Sequence, residues 1–485
     1  MGWRVADHSG MTARALQPTD DATTRSQFTV FAFLLAAATV FHEVALGELR
    51  VTHVVVTLAA VWVLLRPSSL TRFLILVAAQ LVVFADDLPE VVNHWLVLSV
   101  TNLVVVAYIA WAVIGRREWP IRKGALYRSL APILRLELIL VYLFAALAKM
   151  NSGFFDEVNS CALVLSRDVF AGAFTPPGLD AVGPVLMVAT IAIELGLAVA
   201  LIIPSTRVPA IFLGLGFHAM LAISGHAAFS GFAVAFYWLF LPDDMPQRLI
   251  RVRERYRPMY APLIDRAWRW ARSPLGAATV LGVCAVAALA ALALWRDDPR
   301  QGLDLLIILA FLVYTLALAS LLAVALRDGA PLRWRPGMFR VAHPLLVVAP
   351  LIVIVNGFSP YLGLKTENSF TMYSNLRTEE AYWNHWFMPQ SMQVFAMQDR
   401  PVRVIASSEE GLQQTAADGR LMTRFAFESH ASRHPDHSVT YEADGQMHEV
   451  ARIASDPTLA GGPNAVAEQL LWFRDIPGAG SFCVR

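Results

Sequence analysis

The chain has 485 residues, 56% of them hydrophobic and 16% charged, with a mean hydropathy of +0.51. Soluble domains carry about 25% charged residues, so the composition sets aside a string of soluble domains in favour of a polytopic membrane protein. The net charge of +1 gives no global field for nucleic acid. The three cysteines have neither metal-ligand spacing nor a CxxC pair, so no metal site is expected from them.

In chain order, residues 1–27 are polar and read as a cytoplasmic N-terminal tail. Eleven apolar runs follow, near 28–48, 51–65, 72–86, 91–114, 133–150, 181–203, 208–224, 226–241, 275–295, 303–326 and 339–358. A crossing needs roughly 17–25 such residues, so the second, third and eighth runs are short. Lysine and arginine concentrate in alternate loops, which puts the N-terminus in the cytoplasm of a plasma (inner) membrane and residues 359–485 outside it. Residues 243–274 contain "PQRLIRVRERYRPMYAPLIDRAWRWARSP" with eight arginines, either an amphipathic helix on anionic lipid or a plain topogenic loop. Residues 275–358 add further spans.

The C-terminal region has another character. "PVRVIA", "MTRFAFES", "HSVTYEA" and "HEVARIA" read as short strands, with Asp-Gly turn signals. "GGPNAVAEQLLWFRDI" reads as one helix capped by Asn464. The fold class is therefore an all-α polytopic membrane bundle with a small extracytoplasmic α+β domain. The segment opening that domain, "SPYLGLKTENSFTMYSNLRTEEAYWNHWFMP", offers Lys365, Asn375, Asn384 and His385 and is read as docking the domain onto the bundle.

Ionisable groups at membrane depth are costly and so are functional candidates. Of 39 basic residues only Lys123, Lys149 and Lys365 are lysines, and Lys149 stands at the end of the fifth span, "YLFAALAKMNSG". Tyr142, Ala145 and Ala146 share its helix face. Snorkelling to the headgroups would suit Arg as well; losing a proton would suit only Lys. Asn93 and His94 open the fourth span, while Glu194 and His218 lie mid-span, either as proton-handling groups or as interhelical glue. His226 and the pair His42-Glu43 read as interfacial, and Arg135 with Glu137 as a structural ion pair or boundary charges.

Three motifs together carry a resemblance. "VNHWLVLSVTNL", "YLFAALAKMNSGF" and "IAIELGLAVALIIPSTRVPAIFLGLGFHAML" occur in the order and spacing of the HTTM domain, so that residues 28–242 resemble the membrane module of the vitamin K-dependent gamma-carboxylase superfamily. The resemblance implies that Lys149 is the base that deprotonates a reduced quinone, that His94 assists, and that Asn93, Tyr142, Glu194 and His218 shape the pocket. It implies a vitamin K-type quinol or menaquinol with oxygen, carbon dioxide if carboxylation is retained, and a peptide or lipid substrate in the membrane. Departures are Ala148 in place of a first lysine, Phe154-Phe155 in place of a tryptophan, and a C-terminal domain too small for a propeptide-docking apparatus. The alternative is a non-enzymatic membrane protein that binds a lipid, quinone or hydrophobic peptide, with Lys149 as an anchor. Cys161 and Cys483 both fall outside on this topology, where two free thiols are favoured but a disulfide is permitted; Cys284 reads as inert packing within a span.

Overall fold

The computed structural model describes residues 22–116, 121–167, 177–271, 299–327, 336–379 and 382–477, together with Cys483 and isolated positions between these stretches. The ninth apolar run, with Cys284, lies almost wholly outside them. The chain is a mostly helical, multi-pass membrane protein. Among the described residues, five helices are long and apolar enough to cross a membrane: Ala22–Leu46, Asn93–Gly115, Lys123–Ala148, Ala181–Ile202 and Arg300–Leu326. Shorter apolar helices cover Val51–Leu65, Arg207–Ile223, Ala227–Phe240 and Pro344–Phe358.

The helices are α1 (Ala22–Leu46), α2 (Val51–Leu65), α3 (Leu70–Asp86), α4 (Asn93–Arg116), α5 (Lys123–Ala148), α6 (Cys161–Arg167), α7 (Leu179–Ile202), α8 (Arg207–Ile223) and α9 (Ala227–Tyr237). Then come α10 (Met245–Ala271), α11 (Pro299–Leu326) and α12 (Val348–Phe358). The arginine-rich segment is thus one continuous helix, α10, despite Pro258 and Pro262 within it.

α1 packs on α2, α5 and α9, and α5 also meets α7 and α12. Small residues set the closest approaches: a Cβ on Gly231 of α9 would come within 3.3 Å of Ala38 Cα in α1. Arg135 donates to the carbonyls of Leu239 (2.7 Å) and Met338 (2.5 Å), while Glu137 accepts from Thr101 (2.5 Å). These two residues therefore tie α5 to different neighbours.

The C-terminal domain holds a four-stranded antiparallel sheet in the order β2-β1-β3-β4: β1 Val402–Ser407, β2 Leu421–Met422, β3 Val439–Ala443 and β4 Gln446–Val450. Asp444 and Gly445, both at positive φ, make the two-residue turn that pairs Ala443 with Gln446. Helices α13 (Glu410–Ala417), α14 (Arg424–Arg433), α15 (Pro457–Gly461) and α16 (Ala465–Leu470) complete it. Two sequence expectations fail here. "MTRFAFES" is mostly helix, because the Thr423 hydroxyl caps the Ala426 amide at 3.2 Å and Phe427 and Ala431, four apart, bury one face. The helix capped by Asn464 ends at Leu470, since residues 471–477 are extended: the Trp472 carbonyl accepts from Thr366 and Glu367, and Ile476 bridges Leu421.

Between bundle and sheet, residues 359–379 and 382–401 form an irregular clamp. Asn368, Phe370, Tyr373 and Asn375 have positive φ, a conformation that bulky side chains adopt only under external restraint. The restraint comes from both sides. Asn356 donates to the Asn368 carbonyl (2.7 Å) and Asn375 Oδ1 accepts from the Cys161 amide (2.8 Å). His385 Nε2 donates to the Leu147 carbonyl (2.9 Å), and Asn384 Nδ2 reaches Asn151 Oδ1 (3.2 Å). Cys161 and Cys483 are disulfide-bonded across 322 residues of sequence, so the thiols are not free.

Candidate functional site

α5 ends at Ala148, and Asn151 holds the turn that follows. Its Nδ2 donates to the Ala148 carbonyl at 2.7 Å and its Oδ1 accepts from the Phe154 amide at 2.9 Å. That turn fixes Lys149 at the helix cap with its side chain directed inward, 7% exposed. Nζ donates to Glu194 Oε1 on α7 at 2.9 Å and to the Ala145 carbonyl at 3.2 Å. The lysine is therefore buried and paired, which sets aside plain snorkelling.

Two turns back on the same face, the Tyr142 hydroxyl meets His218 Nε2 of α8 at 2.6 Å and the Tyr237 hydroxyl of α9. Gly214 makes this possible, because a Cβ there would overlap the Tyr237 phenol. His218 Nδ1 faces the Ser230 hydroxyl at 3.3 Å. The His218 ring packs on Phe229, whose other neighbour is His94.

His94 begins a third group. Its Nε2 lies 2.9 Å from His42 Nδ1, and the His42 ring stacks on Trp95. His42 Nε2 is 4.0 Å from Glu43 Oε1, Glu43 Oε2 is 2.8 Å from His53 Nδ1, and His53 Nε2 is 3.2 Å from Asp87 Oδ1. Asp87 pairs in turn with Arg50, 44% exposed, which also holds Asp86 at 3.0 Å. A line of exchangeable groups thus leads from the half-buried His94 to the end of the bundle, with one gap longer than a hydrogen bond.

The expected residues therefore fall into three groups joined by packing: Lys149 with Glu194, Tyr142 with His218, and His94. Asn93 leaves its neighbour's group, its Oδ1 accepting from the Phe370 amide at 2.9 Å. His42 and Glu43, read as interfacial, are buried within the third group. His53, Asp87, Tyr237 and Ser230 were not singled out in the sequence. A usable signal for His53 was its place three residues after Arg50 at the start of an apolar run; Tyr237 and Ser230 gave none.

Beside His94 is a cavity of about 30 Å³, lined by Asn93, Val97, Phe229, Phe232 and Phe370 among others. This is room for one water, and a larger guest requires the phenylalanines to move. Buried polar atoms around these groups that have no partner among the described residues include Glu194 Oε2, His94 Nδ1, Asn93 Nδ2 and Glu43 Oε1. Orphaned atoms of this kind are where a polar ligand or water would complete the arrangement. Comparison with known proteins returns no matching family model, no matching curated protein and no matching solved structure.

Proposed function

We propose that the chain is an integral membrane enzyme of the HTTM kind, with eleven spans, a cytoplasmic N-terminus and an extracytoplasmic C-terminal domain, and that Lys149 is its base. The observation that carries this reading is the buried Lys149–Glu194 pair at the end of α5. Supporting it are the three motifs of residues 28–242 and the disulfide at the Lys149 end of the bundle, which suits an oxidising compartment.

The pair explains how a lysine can serve as a base at membrane depth. One proton moved from Nζ to Glu194 Oε1 leaves a neutral amine against a neutral acid, so the base is created without isolating a charge in low dielectric. Glu194 Oε2, without a partner among the described residues, is the free face of that acid. The unpaired donors and acceptors fit the phenolic head of a reduced quinone, which Lys149 and His94 would hold. With oxygen, such a quinol supplies the strong base needed to remove a carbon-bound proton from a peptide or lipid. The protein's own task is to take the quinol proton at Lys149 Nζ and to pass protons outward from His94 through His42, Glu43 and His53 to Asp87.

The test is oxidation of added vitamin K quinol or menaquinol to the epoxide by the purified protein under oxygen. Wild type is expected to turn over and Lys149→Arg to be inactive, since a guanidinium keeps its proton. Turnover by Lys149→Arg removes the assignment of the base. A second reading has its own observation: Lys149 is closed off by Glu194, and Ala148 stands where the resembling family has another lysine. A non-enzymatic protein would use the same bundle to bind a lipid, quinone or hydrophobic peptide, and then Lys149→Arg would retain binding.

A further inference from the structure

On the far side of the clamp, His430 lies in the last turn of α14 and His434, four residues on, is the residue that caps its C-terminal end. Glu409, which caps α13, reaches across to them. Its Oε2 lies 2.9 Å from His430 Nε2. The His430 and His434 rings stack with centroids 4.6 Å apart. One ligand atom from each of the three residues falls within 4.8 Å of the others.

Two features prepare these atoms as donors. His434 Nδ1 lies 2.9 Å from the His430 carbonyl. An N–H donated there fixes the tautomer that leaves Nε2 with its lone pair, the orientation that metal-bound histidines take from their outer partners. Glu409 Oε1 accepts from the Gly411 amide (3.0 Å) and Oε2 from the Leu412 amide (2.7 Å). Gly411 leaves the approach uncrowded, since a Cβ there would stand 3.2 Å from His430 Cε1.

We propose that Glu409, His430 and His434 bind one divalent transition-metal ion of the zinc class. Two imidazoles and one carboxylate are a borderline donor set that favours zinc over magnesium or calcium, which take all-oxygen sites. Tetrahedral bonds of about 2.0–2.1 Å set ligand atoms roughly 3.4 Å apart, so Glu409 Oε2 and His430 Nε2, now 2.9 Å apart, would separate slightly while the wider spacings close. Three protein ligands leave a coordination position for water or a further ligand. His430 also lines a cavity of about 190 Å³ bounded by Phe425, Trp472 and Asp475 and, from the bundle, by Pro89 and Glu90. The metal would therefore stand beside the junction of the C-terminal domain and the loop after α3.

The experiment uses the full chain in detergent without a histidine tag, stripped with chelator and titrated with Zn²⁺ against a chromophoric zinc indicator. Wild type is expected to take up one Zn²⁺ per chain, with Ca²⁺ and Mg²⁺ failing to compete. His430→Ala and His434→Ala should each weaken uptake by roughly a hundredfold or more. His437→Ala, a neighbouring histidine outside the set, should keep it. Co²⁺ in place of Zn²⁺ should give visible absorption in wild type and His437→Ala but not in the other two. Because His437→Ala controls for damage to the helix end, loss of binding in all three variants overturns the assignment. Equal zinc uptake by wild type and His434→Ala, or no uptake by wild type, overturns it as well.

Discussion

A glutamate meets a histidine in the bundle and again in the C-terminal domain, at nearly the same distance and under opposite conditions. Glu43 and His53 are 2.8 Å apart with side chains 3% and 1% exposed; Glu409 and His430 are 2.9 Å apart with side chains 12% and 28% exposed. The difference lies in what surrounds the carboxylate. Glu409 is fastened as an anion by two backbone amides, whereas Glu43 Oε1 has no hydrogen-bond partner among the described residues. An anion held by fixed amides suits a cation, while a carboxylate with a free oxygen beside two histidines suits a proton in passage. Pair geometry alone thus says little about role.

The sharpest way to break this comparison is to remove proton acceptors from the bundle. Lys149→Arg should abolish quinol oxidation. Glu194→Gln should lower it by about 10²- to 10⁴-fold, the range of a lost acid–base group. Glu43→Gln keeps the shape of the outward line but cannot carry a proton, so it should slow turnover less, by up to about 10²-fold. Steady-state rates in detergent check all three. Equal rates for Glu43→Gln and wild type would show that protons leave another way.

The disulfide separates the domains' contributions to stability. Cys161→Ser should lower stability by about 2–4 kcal/mol, read as a lower melting temperature. The same fall should appear in wild type under reductant and not in the variant.

The sequence made the membrane class and the main polar residues legible because apolar runs are long and any charge within them stands out. Lys149, Glu194, His94 and His218 were found this way; Lys149, Glu194 and His218 are buried and His94 is half-buried. What it could not show was who meets whom. Glu194 and Lys149 are 45 residues apart, and helix periodicity gives a face but not a partner. His42 and Glu43 were misplaced for a related reason: nearness to the end of an apolar run resembles nearness to the headgroups, but α9 and α4 close over them. In the C-terminal domain, β1, β3 and β4 followed from alternation. The stretch 423–430 has the same mixture of apolar and polar residues, and there the Thr423 cap decides for helix.

Lys365 extends the comparison to the clamp, where a buried charge has neither a carrier's role nor a ligand's. Burial draws its ammonium down from 10.5 to about 8, partly opposed by Glu367. A base whose folded value lies below its unfolded value makes the folded state bind fewer protons between those two values. Its cost is therefore full below pH 8 and fades as pH rises toward 10.5. The displacement corresponds to an upper limit of roughly 3 kcal/mol, and losing the attraction to Glu367 reduces what a neutral replacement recovers. Lys365→Met should raise stability at pH 7 by about 1–2 kcal/mol. The advantage should shrink steadily above pH 8, which melting temperatures of both proteins taken from pH 7 to 10 would show. A gap that stays constant across this range would mean that Lys365 keeps its proton in the folded protein as it does in the unfolded chain, held by an acceptor that repays its burial.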